Sequence, residues 1–152
     1  MKIALASDHA GYELKEKIKE YITSKGHDVV DYGTHSGDTR VDYPDFGFAA
    51  ASAVSCENAE RAVLVCGTGI GMSITANKVR NVRAALCHDH FTAVMSRRHN
   101  DSNVLVVGAR VIGYDVAIDI VDAWLKEKFE GGRHSGRLEK IHSFERENYS
   151  GV

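Results

Sequence analysis

Short apolar runs alternate with longer amphipathic stretches along the chain, and this alternation predicts a parallel α/β fold. Apolar, often β-branched runs bounded by turn residues are typical of strands buried on both faces. The predicted strands are Ile3–Ser7, Val29–Tyr32, Ala62–Cys66, Val82–Cys87 and Val104–Val107. Strands that alternate with helices imply right-handed crossovers, so the pattern predicts one doubly wound domain with a five-stranded parallel sheet.

The intervening stretches carry apolar residues at helical spacing, and most end at glycine or polar residues. The first helix places Leu14, Ile18, Tyr21 and Ile22 on one face and ends before Gly26, while residues 34–42 are expected to be irregular. The other predicted helices are Asp45–Val54, Met72–Asn77, His90–Arg98, Tyr114–Phe129 and a C-terminal helix at about 133–147.

The C-terminal helix has no obvious place in a doubly wound sandwich. Gly131-Gly132 separates it from the preceding helix, and it carries Leu138 and Ile141 on its apolar face. Two arrangements fit this pattern: the helix crosses to a second subunit, or it folds back on its own domain.

Composition narrows the class of protein. The 152 residues are 43% hydrophobic and 26% charged with a net charge of −2, which gives no electrostatic reason to expect nucleic acid or a membrane surface as a partner. No apolar run approaches the roughly 20 residues of a membrane span, and the first residues are expected to enter a strand rather than form a signal sequence. An odd number of cysteines without paired spacing predicts reduced thiols and a cytoplasmic location. The absence of CxxC and HExxH motifs argues against a structural zinc site.

The stretch Cys66-Gly67-Thr68-Gly69-Ile70-Gly71 is the strongest candidate for a functional site. A strand that breaks into spaced glycines and continues as a helix directs several backbone N–H groups at one point, where an oxyanion or phosphate would bind. Cys66 ends the strand beside these donors, at the sheet edge where open α/β sheets bind ligands. Two ordinary interpretations remain open: a turn that only tightens the connection, and a cysteine that is a small buried hydrophobe.

Other polar residues are weaker candidates taken singly. Asp8-His9 follows the first strand at the same sheet edge as Cys66, whereas His99-Asn100 precedes the fifth strand and therefore lies at the opposite edge of one subunit. Arg110 and the Arg133–Arg137 segment suit phosphate binding, although caps, turns and solvated basic segments look alike.

Elimination of the common motifs points to a class of reaction. The glycine turn lacks the GxGxxG spacing of dinucleotide-binding folds, no Gly-Lys-Ser/Thr follows it, and no GxSxG elbow is present. What remains is a cysteine beside an anion hole with several His and Arg residues. This set is consistent with a cofactor-free proton transfer on a phosphorylated small molecule.

The chain resembles ribose-5-phosphate isomerases of type B, within the group that includes galactose-6-phosphate isomerase subunits. The matching segments span nearly the whole chain in family order, which makes the combination specific. They are Asp8-His9-Ala10-Gly11, Asp42-Tyr43-Pro44, Cys66–Gly71, Ala76-Asn77-Lys78, Arg97–Asp101, Gly108-Ala109-Arg110 and Gly131-Gly132-Arg133-His134.

The resemblance implies a Rossmann-like three-layer α/β/α sandwich, a homodimer that sometimes pairs into a tetramer, and a reaction without cofactor or metal. The implied reaction interconverts ribose 5-phosphate and ribulose 5-phosphate in the pentose phosphate pathway. The implied catalytic residues are Cys66 as the base, with Thr68 and His99 assisting ring opening. The implied substrate-binding residues are Asp8, Tyr43 and Asn100 at sugar hydroxyls, the backbone of Gly67, Gly69, Ile70 and Gly71 at the enediolate, and His9, Arg110, Arg133 and Arg137 at the phosphate. The resemblance also implies that each site is shared, with the His99 and arginine side supplied by the partner.

One departure from part of the family selects the base. A branch of the family has a glutamate just after the last glycine, where this chain has Met72, which cannot abstract a proton. Two alternatives remain: the same chemistry on a six-carbon sugar phosphate such as allose 6-phosphate or galactose 6-phosphate, and a non-catalytic sugar-phosphate-binding module. The intact set of Cys66, Thr68 and His99 argues against the second alternative.

Overall fold

A computed structural model describes residues 1–148, and its elements alternate in the predicted order. The strands are β1 (Lys2–Ser7), β2 (Asp28–Asp31), β3 (Arg61–Cys66), β4 (Ala84–Leu86) and β5 (Val104–Gly108). The helices are α1 (Tyr12–Ser24), α2 (Tyr43–Ser55), α3 (Ile70–Ala76), α4 (His90–Asn100), α5 (Tyr114–Lys126) and α6 (Arg133–Asn148). None of the described helices is long and apolar enough to cross a membrane.

The five strands form one parallel sheet in the order β2-β1-β3-β5-β4. This order places β3 at the centre, flanked by β1 and β5, so the ends of these three strands are neighbours. The register pairs Ser7 with Val65 and Cys66 with Gly108. The predicted Rossmann-like sheet with helices on both faces is confirmed.

Two apolar cores cover the two faces of the sheet and make the three layers. On one face α1 and α5 pack on the strands through Ile18, Ile22, Ile120 and Trp124. On the other face α2 and α3 contribute Ala50, Ala51, Met72 and Ala76. The small side chains of α2 let that helix approach the sheet closely. Met72 is a fully buried residue of this second core.

Several predicted boundaries were wrong by two or three residues. Helix α5 ends at Lys126 rather than Phe129, because Glu127 takes an extended backbone conformation and its carboxylate accepts two hydrogen bonds from Arg98, at 2.6 and 2.9 Å. Strand β4 is limited to Ala84–Leu86, since it is an edge strand paired only with β5 over those residues.

Two helices that flank the candidate site also differ from prediction. Helix α4 extends through Asn100, so His99 belongs to its last turn rather than to a following loop, and Asp101 ends it in a left-handed conformation with φ of 45°. Helix α3 begins at Ile70 instead of Met72, directly after Gly69, which has a φ of +79°.

Helix α6 partly folds back on its own chain. Its first turns contact α4, where His134 and Leu138 are buried, and Arg83 lies 3.3 Å from His142. Farther along, Ile141 and Phe144 are 48% and 61% exposed. The first half of α6 therefore folds back on its own domain, which is one of the two predicted arrangements. The apolar face of the second half is not covered by this chain.

Candidate active site

The carboxyl ends of β1, β3 and β5 bring together most of the predicted site residues. Asp8 and His9 follow β1, Cys66 ends β3, and Arg110 follows β5. Together with Tyr43, Thr68 and Gly71 they line a cleft of about 270 Å³. These residues lie close together because β1, β3 and β5 are neighbours in the sheet. No single sequence motif specifies this strand order.

The glycine turn holds the Cys66 sulfur against backbone donors. Cys66 is 5% exposed, and its Sγ accepts a hydrogen bond from the Gly69 N–H at 3.2 Å. Gly69 has to be glycine, because its φ of +79° favours no side chain and an added Cβ would lie 2.4 Å from Leu86 Cδ1. The turn then enters α3 at Ile70, where first-turn N–H groups have no intrahelical acceptor. The Ile70 N–H donates instead to Thr68 Oγ1 at 3.4 Å. A thiol and backbone amide donors of the turn therefore share one side of the cleft.

Close backbone packing fixes the remaining walls. The N–H groups of Ala109 and Arg110 donate to the carbonyls of Cys66 and Gly67, both at 2.9 Å, which ties the loop after β5 to the glycine turn. A Cβ on Gly108 would lie 2.6 Å from the Thr68 carbonyl oxygen, so the two segments touch through their backbones. Arg110 itself is exposed and faces the mouth of the cleft.

Asp8, His9 and Tyr43 are held on the opposite wall. Asp8 is buried and caps the short helical turn that follows, accepting the Gly11 N–H at 3.0 Å. The Val41 N–H lies 3.3 Å from Nδ1 of His9, which orients the imidazole. The Tyr43 ring covers Gly71, where a Cβ would approach its ring carbons to 2.7 Å. Asp8 and His9 each use one side-chain acceptor for a hydrogen bond to the backbone. Both residues thus have the structural role that the cap and turn interpretation predicts, and both also line the cleft where a ligand would bind.

Four predicted residues lie elsewhere, at the amino edge of the sheet. His99 and Asn100 end α4 just before β5 begins, and Arg133 and Arg137 are exposed residues in the first turns of α6. The six-residue strand β3 spans roughly 17 Å between the two edges. His99 and Cys66 of one chain are therefore too far apart to contact the same small sugar. This separation was predicted from their positions at opposite ends of the strands.

His134, to which the sequence analysis assigned no role, lies beside His99. Its buried imidazole stacks on that of His99, with ring centroids 4.2 Å apart and planes at 11°. Burial lowers the pKa of His134, and the nearby charges of His99, Arg133 and Arg137 lower it further. The neutral ring is favoured as a result. Its place beside Arg133 in the Gly131–His134 motif was the available signal.

The same neighbourhood contains side chains that could hold a metal ion. His99, Glu130 and His134 each offer one donor atom, and these atoms all lie within 4.8 Å of one another. The carboxylate of Glu130 is 3.8 Å from His99 Nε2. None of the three residues lines the cleft around Cys66.

A Rossmann-like sheet with a thiol and amide donors at its carboxyl edge, in a chain that lacks a nucleotide-binding motif, indicates a class of protein. That class is the small α/β enzymes that act on small anionic molecules. Comparison with known proteins identifies the family within that class. The model of the ribose/galactose isomerase family matches residues 3–141, and the chain belongs to that family.

Solved structures of relatives share the whole fold. The ribose-5-phosphate isomerase B of Clostridium thermocellum is 51% identical, with a TM-score of 0.95 over 99% of this chain and 100% of that one. The ribose-5-phosphate isomerase B of Mycoplasma genitalium, solved with bound ribulose 5-phosphate, is 42% identical, with a TM-score of 0.93 over 97% of both chains. Among curated relatives, a D-erythrulose-4-phosphate isomerase of Pectobacterium atrosepticum is 42% identical over 95% of both chains. Relatives of similar identity thus differ in the length of their named substrates.

Proposed function

We propose that this protein interconverts ribose 5-phosphate and ribulose 5-phosphate through an enediolate, with Cys66 as the base. The observation that carries the proposal is the Cys66 sulfur, held at the floor of the cleft by the Gly69 N–H at 3.2 Å. The buried methionine at position 72 leaves no carboxylate there to take the role. The relatives named ribose-5-phosphate isomerase B, one of them with bound ribulose 5-phosphate, support the choice of substrate.

The proposed proton transfer needs a base and an oxyanion hole on the same side of the sugar. The Cys66 thiolate takes the proton from C2 of the open-chain aldose and returns it to C1, while a proton moves from the C2 hydroxyl to the C1 oxygen. Amide N–H groups of the glycine turn stabilise the negative oxygen of the enediolate. Loss of one such donor typically costs about 3–4 kcal/mol of barrier. Glycines admit the oxygen because no Cβ stands in its way.

The remaining residues are assigned to ring opening and to binding. Thr68, at the mouth of the cleft, and His99 would transfer the protons that open the furanose ring. Asp8, Tyr43 and Asn100 would hold sugar hydroxyls. His9, Arg110, Arg133 and Arg137 would bind the phosphate, which supplies binding energy remote from the reacting carbons for orientation.

This assignment requires a second subunit. Cys66 and Thr68 lie at one edge of the sheet and His99, Arg133 and Arg137 at the other, so we infer a homodimer whose sites each draw on both chains. The uncovered side chains of Ile70, Ile74, Ile141 and Phe144, which are 48–61% exposed, support an extensive contact. A groove of about 320 Å³ between α6 and residues 77–80 continues this apolar surface. Three unpaired cysteines, one of which must stay reduced, support a cytoplasmic location.

The test is an aldose–ketose assay on ribose 5-phosphate in the presence of a chelator. We expect turnover without added metal, because the proposed steps are proton transfers alone. Allose 6-phosphate, galactose 6-phosphate and D-erythrulose 4-phosphate run in parallel decide substrate length. Faster turnover of another sugar phosphate would change the substrate, and tight binding of all of them without exchange would establish a binding module instead.

A further inference from the structure

His134 is buried between the last turn of α4 and the start of α6, where it contacts two residues that are assigned to the reaction. Its ring stacks on that of His99, with centroids 4.2 Å apart and planes at 11°. Its Nε2 lies 3.4 Å from Nε of Arg133. Only 5% of His134 is exposed, so the imidazole has little room to take another orientation. One buried side chain therefore connects the residue assigned to ring opening with a residue assigned to the phosphate.

We propose that His134 is a positioning residue, which holds the His99 imidazole for ring opening and the Arg133 guanidinium for phosphate binding. This role rests on the proposed function, since both contacts matter to the reaction only through His99 and Arg133. His134 itself need not touch the sugar or the phosphate. The two contacts use different parts of the imidazole, the ring face for His99 and one nitrogen for Arg133, so each can be removed separately.

The contact with Arg133 fixes the protonation state of His134. Nε of an arginine always carries a hydrogen, so it donates and His134 Nε2 accepts. The neutral ring then carries its proton on Nδ1. Burial lowers the pKa of His134, and neighbouring positive charges lower it further, which favours this neutral ring. The charged groups that face it are His99, Glu130, Arg133 and Arg137. The Nε2 lone pair is thus used by Arg133 and is not free for a metal ion.

The same hydrogen bond orients the Arg133 guanidinium for an anion. It uses the Nε–H and leaves Nη1 and Nη2 as a fork that matches two phosphate oxygens. Arg133 is exposed, and within residues 1–148 its side chain makes no other hydrogen bond. Without His134 the phosphate would have to order this flexible side chain itself, which would weaken binding.

The stack acts on His99 in a comparable way. The His99 side chain is 35% exposed, and the nearest carboxylate oxygen of Glu130 is 3.8 Å from its Nε2, which is too far for a hydrogen bond. That carboxylate also lies 4.0 Å from Nε of Arg98. The face of His134 therefore supplies a fixed surface for the His99 ring. Because the lone pair and the N–H of an imidazole lie in the ring plane, stacking leaves both available for proton transfer.

Two substitutions of His134 separate the contacts. His134→Phe keeps an aromatic ring against His99 but offers Arg133 no acceptor, whereas His134→Gln places an amide oxygen near the position of Nε2 but removes the stack. With ribose 5-phosphate, we expect His134→Phe to raise KM about 3- to 10-fold and to keep kcat within about twofold of wild type. We expect His134→Gln to lower kcat about 3- to 10-fold with little change in KM. A purely structural role would not produce this crossed pattern.

Two measurements on the resting protein are independent of the isomerase assignment. Nitrogen-15 NMR of the imidazoles should show His134 neutral at pH 7 with its proton on Nδ1, and cross-relaxation between the ring protons of His99 and His134 should report the stack. Inorganic phosphate, titrated by phosphorus NMR, should bind His134→Phe about 3- to 10-fold more weakly than wild type, and His134→Gln about as well as wild type. If wild type does not isomerise ribose 5-phosphate, the proposed function fails while these measurements still decide the two contacts.

His27 supplies matched controls, because it contacts only the amino group of Met1, at 3.4 Å, among its side-chain hydrogen bonds in the described chain. His27→Phe and His27→Gln should match wild type in kcat, KM and phosphate affinity. A proton on Nε2 of His134, no phosphate binding by wild type, or equal phosphate affinity of His134→Phe and wild type overturns the role at Arg133. No cross-relaxation between the two rings, or an unchanged kcat in His134→Gln, overturns the role at His99. The NMR spectra use wild type, so they decide both contacts even if a variant does not fold.

Discussion

The backbone N–H of Gly69 donates a hydrogen bond to Cys66 Sγ at 3.2 Å, across the turn that joins β3 to α3. This bond fixes the only sulfur among the residues that line the cleft in the described chain. Cys56 is exposed and Cys87 is buried after β4, so neither shares the environment of Cys66. The three cysteines therefore provide an internal comparison.

Cys66→Ala is expected to lower kcat for ribose 5-phosphate by at least about 100-fold, because a positioned base contributes 10²–10⁴ to such a step. Substrate affinity should change little, since the phosphate and hydroxyl contacts remain. Steady-state kinetics and calorimetric binding measure the two effects. Cys56→Ala and Cys87→Ala should keep near-normal turnover. A loss of only a few-fold in Cys66→Ala would remove Cys66 from the role of base.

Gly71→Ala tests the wall formed by Tyr43. The new Cβ would lie 2.7 Å from carbons of the Tyr43 ring, so the ring has to move out of its place over the turn. We expect kcat/KM to fall roughly 10- to 100-fold, because small misplacements of this kind are costly at a reacting centre. Gly113→Ala is the control, since a Cβ there meets nothing within 4 Å. Equal activity of the two variants would mean that Tyr43 does not set the geometry of the site.

Asp31→Asn tests a buried ion pair away from the site. Lys15 is completely buried and donates to Asp31 Oδ2 at 2.7 Å, with Lys19 at 2.9 Å from the same oxygen. Burial acts to raise the pKa of Asp31, but hydrogen bonds from Lys15, Lys19 and the Gly33 N–H outweigh it and the pKa is lowered. The substitution removes the closer of two carboxylates that pair with Lys15, the other being Glu16 at 2.8 Å, and should cost about 2 kcal/mol of stability.

Because the pKa of Asp31 is lowered in the folded protein, this residue makes the free energy of unfolding depend on pH. A carboxyl whose pKa is lower in the folded state than in the unfolded chain adds stability above its unfolded value, and that stability is lost as pH falls through the folded pKa. Urea unfolding from pH 7 down to pH 3 should therefore show a steeper acid loss in wild type than in Asp31→Asn. The exposed Asp28→Asn should behave like wild type. Parallel acid limbs in wild type and Asp31→Asn would exclude this linkage.

The apolar pattern predicted the order of elements because buried strands such as β3 and β5 are continuous hydrophobic runs. Element ends were less predictable, since tertiary partners set them. The end of α5 depends on the pairing of Glu127 with Arg98, which is distant in sequence. Local sequence could not reveal that pairing.

The residues around Cys66 were more predictable from the sequence than the residues around His99. The Cys66–Gly71 turn is a contiguous motif, so its donors and its thiol were predictable from the sequence, and strand order then brought Asp8 and Arg110 beside it. The stack of His134 on His99 was not predictable. It depends on the left-handed conformations of Gly131 and Gly132, which turn α6 back over α4.

The separation of Cys66 and His99 leads to the last prediction, which is an obligate dimer with shared sites. A partner related by a two-fold axis would bring its amino edge to the carboxyl edge of the first chain. Cys66→Ala and His99→Ala proteins should each be nearly inactive as homodimers. After subunit exchange, a mixed dimer would contain one intact site and one site that lacks both side chains. Random mixing makes about half of the dimers mixed, so recovered activity should approach about a quarter of that of wild type. The control is a mixture of Cys66→Ala with itself carried through the same exchange. If exchange is verified by mass and activity does not return, each site is built within one chain and the shared arrangement is wrong.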